Sequence, residues 1–197
     1  DLLIIKKESV NEKLKFCLKQ HARVGTSSAR RSAQFKAFRP DAELSDLRGN
    51  VPTRIQKLRD GLHDAILIAK AGVDRLKSDL SDFYTVALDP EEFIPAPAQG
   101  VLALQARDND HVWIEQIKKL NSHSSFQTST IERTVMSRFE GGCNLPLGAF
   151  CKIAENEHGR SLFKLSVAIS DSKDNYPKYF YSESDSMAGL ADTLVSK

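Results

Sequence analysis

Cys143 stands in the run Glu140-Gly141-Gly142-Cys143-Asn144-Leu145-Pro146-Leu147-Gly148. Glycine reaches positive φ at little steric cost, so the paired glycines mark a tight loop or a close approach of backbone to something else. A thiol held there is a nucleophile, a tether for a bound group, or a small buried hydrophobe. A second chemical cluster is Val24-Gly25-Thr26-Ser27-Ser28-Ala29-Arg30-Arg31, with three hydroxyls and two arginines at a strand-to-helix junction. Free N–H groups at a helix start favour an anion, and guanidinium forks match carboxylates and phosphates. The alternative is a plain helix cap with solvent-facing arginines. Leu47-Arg48-Gly49-Asn50-Val51-Pro52-Thr53-Arg54 repeats the arrangement, with arginines on either side of a Gly-Asn turn. Arg75, in Ala71-Gly72-Val73-Asp74-Arg75, follows an apolar strand and falls on the same rim; its alternative is an ion pair with Asp74 or Asp79. Ligands gather at the carboxyl ends of parallel strands, so several such loops in one domain point to an anion site.

Charge distribution agrees. From His21 to Asp60 nine Lys/Arg face four Asp/Glu, whereas Glu155 to Lys197 carries five basic and seven acidic residues. The basic zone implies an anionic ligand near the first half. The 41% apolar content of these 197 residues suffices for a core. No apolar run approaches the ~20 residues of a membrane helix. Cys17, Cys143 and Cys151 lack metal-ligand spacing, and an odd count suits a reducing compartment, so a cytoplasmic location is expected. The five histidines are scattered and receive no role. There is neither a P-loop nor a G-x-S-x-G elbow.

The elements that must position these residues alternate. Strands are expected at Leu2–Ile5, Arg23–Thr26, Ala42–Leu47 and Asp64–Ala69, the last as a buried parallel strand. Helices are expected at Ala29–Phe38, Thr53–Gly61 and Ala71–Leu80. This is an α/β domain, followed by a Pro-rich connector at 93–100. A strand at Val101–Ala106 and a helix at Asp110–Leu120 come next. Beyond them lies an α+β module, with a helix at Thr130–Phe139, strands at Ala149–Ala154, Ser161–Ile169 and Tyr179–Tyr181, and a last helix from about Asp185. The apolar opening Asp1-Leu2-Leu3-Ile4-Ile5 has no preceding turn, and a fragment of a larger fold is expected.

Five blocks, VGTSSARR (24–31), LRGNVPTR (47–54), ILIAKAGVDRL (66–76), IPAPAQGVLALQARDND (94–110) and ERTVMSRFEGGCNLPLGAF (132–150), together resemble the porphobilinogen deaminase (hydroxymethylbilane synthase) family. The resemblance implies a covalent dipyrromethane cofactor on Cys143 through a thioether, with Ser28, Arg30, Arg31, Arg48 and Gly72 at the cofactor. It implies Thr26, Ser27, Arg54 and Arg75 at the substrate, porphobilinogen, four units of which are joined with loss of ammonia. The implied fold is a periplasmic-binding-protein-like α/β domain followed by a small α+β cofactor-carrying domain. On that pattern residues 1–99 are the second family domain with its hinge, 100–121 return to a mostly missing first domain, and 122–197 form the third. The family's catalytic aspartate would precede Asp1, leaving this polypeptide alone inactive. The parent enzyme is expected to be a monomer, with no metal, nucleic-acid or membrane partner. The apolar 101–106 and Trp113 surface, left uncovered, would drive self-association. Two other readings are a non-catalytic anion-binding module, which needs no Cys143, and a nucleic-acid binder. The latter lacks stacking aromatics, since Phe35 and Phe38 read as helix core.

Overall fold

The strand β1 (Leu2–Lys6) is apolar at four successive positions because both of its faces are covered. The computed structural model of the chain describes residues 1–139, 145–155, 157 and 159–191. After β1 come β2 (Arg23–Gly25), α1 (Ala29–Phe38), β3 (Glu43–Ser45), α2 (Val51–Arg59), β4 (Ala65–Ile68), α3 (Lys70–Arg75) and β5 (Phe83–Ala87). They build a five-stranded sheet in the order β3-β2-β4-β1-β5. Side chains alternate across it. Leu3, Ile5, Val24 and Leu67 pack under Phe35 of α1, while Leu2, Ile4, Ile66 and Ile68 pack under Ile55, Leu58 and Val73 of α2 and α3. The sheet is mixed rather than parallel throughout. β4 runs parallel to β2 but antiparallel to β1, and β1 also pairs antiparallel with β5.

The second unit holds α4 (His111–Lys119), α5 (His123–Arg138) and an antiparallel sheet of β6 (Leu147–Glu155), β7 (Ser161–Ile169) and β8 (Lys178–Ser184). Ile131 and Val135 of α5 pack on Leu147, Ala149, Leu165 and Val167.

Several expected elements differ in extent, each for a local reason. α5 starts at His123 instead of Thr130, because Ser122 Oγ accepts from the Ser125 N–H and caps the helix there. Its first turns carry no apolar period, and their hydroxyls fold back on the helix, as in Thr130 Oγ1 to Phe126 O at 2.7 Å. α3 stops at Arg75, and Lys77 then takes φ +47°. Residues 101–107 form no strand, since no neighbouring strand offers them a ladder among the described residues. β5 was not expected from the sequence, and the β-prone run Phe83-Tyr84-Thr85-Val86 accounts for it. Asp185–Ala191 is turn rather than helix, and the remainder of that expected helix falls outside the described residues.

A strap at 93–99 joins the two units. Phe93 and Ile94 are fully buried. Gln34 of α1 clamps Ile94 at both backbone atoms, accepting from its N–H at 2.7 Å and donating to its carbonyl at 2.8 Å. On the far side, the Ala149 N–H donates to Pro95 O at 2.9 Å. Gly148 is needed for this approach: a Cβ there would lie 2.6 Å from Ile94 O and 3.1 Å from Pro95 O, both unyielding backbone atoms. Gly148→Ala therefore forces the units apart at the strap. It is expected to lower stability by about 1–3 kcal/mol, as overpacking does, and denaturant titration showing an unchanged midpoint would refute this account of the contact.

Candidate anion-binding site

The strand β2 ends at Gly25 against the ring of His63, which a Cβ would meet at 3.0 Å. His63 is held in turn by Ser45 Oγ, 3.1 Å from its Nδ1, and burial and then the charges of Arg23 and Lys57 lower its pKa, favouring the neutral ring. Upon this support sits the loop Thr26–Ser28. The Thr26 N–H donates to Ser45 O, and Thr26 Oγ1 accepts from the Ser28 N–H at 3.3 Å. Ser27 Oγ donates to Leu47 O and accepts from the Leu47 N–H, both at 3.0 Å, so it zips this loop to the one after β3. Ser28 caps α1, its Oγ accepting from the Arg31 N–H.

Arg30 and Arg31 leave α1 inward and are nearly wholly buried. Between them lies the Asp1 carboxylate, fully buried. Arg31 Nε and Nη2 donate to Asp1 Oδ1 at 3.0 and 2.8 Å. Arg30 Nη1 donates to Ile94 O at 2.8 Å and also lies 2.8 Å from Asp1 Oδ2. The latter contact is off the hydrogen-bonding direction, so it is Coulombic only, and Asp1 Oδ2 has no hydrogen bond. Gln99 bridges the group, accepting from Arg30 Nη2 and donating to Asp1 Oδ1, both at 3.1 Å. Among the described residues Arg30 Nε has no hydrogen-bond partner, and its guanidinium lies over the Phe93 ring, 5.9 Å from the centroid.

Electrostatically the cluster is short of negative charge. Burial, followed by the charge of Arg31, pulls the Arg30 pKa well below its ordinary value, and burial brings Arg31 down to about 10. Half-buried Arg54 is lowered first by burial and then by the positive charge of Arg31, so the two share one field. Its Nε is turned to Gly49 O at 2.7 Å. Two guanidiniums thus share one carboxylate in a poorly solvated place, and the charge of Arg54 adds to their field. An arriving anion lowers that energy, and an orphaned buried donor at Arg30 gives it a direction.

The other expected site residues spread outward. Arg48 is 82% exposed, its Nη2 3.9 Å from Asp46 Oδ2. Asn50 caps α2 through the Thr53 N–H, and Gly49, with φ +120°, supplies the turn that brings Arg54 back. Gly72 lets α3 approach the start of α2, for a Cβ there would meet Val51 Cγ2 at 3.2 Å. Arg75 is exposed and donates to Gly100 O at 2.6 Å, away from the Arg30–Arg31 pair. Cys143 lies outside the described residues. Cys151, by contrast, is a core residue, its thiol pushed up to about 12 by burial and by Glu132.

Asp1, Gln99 and Gln34 were not anticipated. A lone acid at Asp1 carries no signal, but Gln99 sits in the Pro-Ala-Pro-Ala-Gln-Gly connector, where a polar side chain after two prolines was the available signal. Among the described residues no group of three or more His, Cys, Asp or Glu is placed to hold a metal, and no helix is long and apolar enough to cross a membrane.

Residues 1–115 match the family model described as porphobilinogen deaminase, dipyromethane cofactor binding domain, and residues 126–180 match the porphobilinogen deaminase C-terminal domain. Porphobilinogen deaminase of Roseiflexus castenholzii is 43% identical over 136 residues, covering 69% of this chain and 44% of that protein. The probable porphobilinogen deaminase of Methanocaldococcus jannaschii is 40% identical over 74% of this chain and 48% of its own length. That of Francisella tularensis subsp. novicida is 40% identical over 79% and 50%. The chain spans about half the length of the curated relatives it matches. With the motif blocks in order and both family models matched across the strap, the chain belongs to the porphobilinogen deaminase family.

Proposed function

We propose that this chain is the anion-holding and cofactor-carrying part of a porphobilinogen deaminase, a transferase that joins four porphobilinogen molecules with release of ammonia to give hydroxymethylbilane for tetrapyrrole biosynthesis. The observation that carries the reading is the buried Arg30–Arg31 pair with only one carboxylate between them and an unpartnered Nε. Each pyrrole of a dipyrromethane carries an acetate and a propionate, so the donor set fits the group. Cys143 would hold it through a thioether, with Arg30, Arg31, Arg48 and Ser28 on its carboxylates and Gly72 keeping α3 clear. When bound, dipyrromethane supplies the pyrrole end to which substrate is joined.

The chain's own residues do the rest by charge and direction. Arg54 and Arg75, with the Thr26 and Ser27 loop, would receive the carboxylates of incoming porphobilinogen. Ser27 acts mainly by fixing the loop, because its hydroxyl is already engaged with Leu47. Guanidinium–carboxylate pairs in a half-buried site are stronger than neutral hydrogen bonds and orient the acids bidentately. The catalytic aspartate, on this reading, belongs to a first domain preceding Asp1, and the polypeptide alone is inactive. The domain limits at 99 and 121, the periplasmic-binding-protein likeness of the first unit, a cytoplasmic location and self-association through the 101–106 surface are parts of the same proposal.

The deciding experiment is the intact mass of the denatured chain beside Cys143→Ser. An adduct of dipyrromethane size, absent from the variant, is expected. An anion-binding module without catalysis would instead give an unmodified mass together with undiminished carboxylate binding. A second test separates site from fold. Arg48→Leu removes an exposed group and is expected to leave stability within about 0.5 kcal/mol. Arg54→Leu should weaken porphobilinogen binding by about tenfold or more, the worth of one charge-assisted bond, and Arg48→Leu should lower the fraction of chain that carries the dipyrromethane adduct. Parental affinity by calorimetric titration would remove Arg54 from the site, and a parental adduct fraction by intact mass would remove Arg48.

A further inference from the structure

Glu132 is a buried acid on α5 that neither the motif reading nor the anion site uses. Its two oxygens reach in different directions. Oε1 accepts from the Cys151 N–H on β6 at 2.8 Å, and Oε2 accepts from the Ala98 N–H on the strap at 2.7 Å. Burial raises its pKa despite those two donors, so holding the carboxylate there is costly. The strap shows the counterpart of that cost. Ala98 takes φ +57°, a left-handed conformation that a residue with a Cβ rarely adopts. Such a conformation persists where the surroundings over-determine it. The next residue is Gln99, whose amide bridges Arg30 and Asp1.

We propose that Glu132 is a positioning residue: by pinning Ala98 to β6 it orients Gln99 into the Arg30–Asp1 pair, and so locks the cysteine-bearing unit to the anion site. The path is short and made of single contacts: Cys151 N–H, Glu132, Ala98 N–H, Gln99, Arg30. The two units have separate cores, and among the described residues the Gly148–Pro95 contact and two exposed pairs, Lys36–Asp174 and Lys152–Glu91, also bridge them. Chain connectivity gives the clamp its purpose. Cys143 is five residues beyond Arg138, the end of α5, and four before Leu147, where β6 begins. Fixing α5 and β6 to the strap restricts where that thiol can lie relative to the guanidiniums, since four residues span about 14 Å at most. This purpose rests on the reading of Cys143 as the cofactor anchor; the clamp itself does not.

The test is the distance between nitroxides on Gln56→Cys of α2 and Ser137→Cys of α5, both exposed, measured by pulsed electron resonance. The parent carries Cys17→Ser and Cys143→Ser, and buried Cys151 stays unlabelled. Glu132→Gln keeps the shape but opposes an amide N–H₂ to one backbone donor, and Glu132→Asp is too short to serve both. Each is expected to broaden the distance distribution about twofold or more, as a released hinge does. Val135→Ala cuts a fully buried side chain on the same helix. It is expected to lower the thermal midpoint while leaving the distribution parental. A parental distribution in both Glu132 variants, or equal broadening in Val135→Ala, overturns the proposal. Because the parent lacks Cys143, the result is independent of cofactor loading. An unmodified mass in the native chain would sink the anchor reading and leave the clamp standing.

Discussion

The placement of two guanidiniums in the interior governs the rest of this structure. Arg30 and Arg31 follow each other on α1, so both point inward only if carbonyls and a carboxylate await them there. Asp1, Ile94, Leu67 and Gln99 meet that need from different parts of the chain. Removing one partner of such a buried set strands the other, which makes the arrangement rigid as well as costly. The unit is thereby tied together around its own charge: the strap cannot leave without exposing Arg30, and β1 cannot shift without moving Asp1. As a candidate anion site the arrangement is pre-formed, since its donors are already desolvated and oriented.

Much of this was legible in the residues. The run from Asp64 to Ala69 announced a strand covered on both faces, and the helix expected at Ala29–Phe38 has those bounds, whereas the one expected from Thr53 begins at Val51 behind the cap of Asn50. The three arginine-bearing loops were found by type and spacing alone. Their depth was not. Nothing local distinguishes Arg30, buried beside Asp1, from Arg48, left in solvent on the next loop, because depth depends on partners 29 and 64 residues away. The direction of β4 was half legible for the same reason. Its apolar run reports burial, whereas its antiparallel pairing with β1 is a matter of chain path. The strand expected at Val101–Ala106 failed most simply. A run of apolar residues reports a tendency to be covered, and it becomes a strand only where another edge meets it.

That uncovered face and the strap are two sides of one arrangement. On one side of the strap, Gln34, Arg30 and Glu132 consume its backbone groups and prolines limit its freedom. After Gly100 the burial stops. Leu102 is 70% exposed and Trp113 63%, and α4 buries none of its residues. Leu102, with Ile114 and Ile117 of α4 and Phe126 of α5, borders a groove of 1360 Å³ that Arg75 and Arg133 flank. An apolar stretch of this extent beside an ordered strap is not a stable surface in water.

The contrast explains why the joint is polar rather than apolar. An apolar joint between the units would be indifferent to small shifts, since hydrophobic contact has no direction. Glu132 and Gln34 instead fix the strap by hydrogen bonds whose lengths tolerate only a few tenths of an ångström. The cofactor anchor proposed at Cys143 would need that directional kind of joint. Apolar burial here supplies stability within each unit, in separate cores, and polar contacts set the units' relation to each other. The left-handed Ala98 is where the two requirements meet, a strained residue held by a buried carboxylate so that its neighbour faces the arginines.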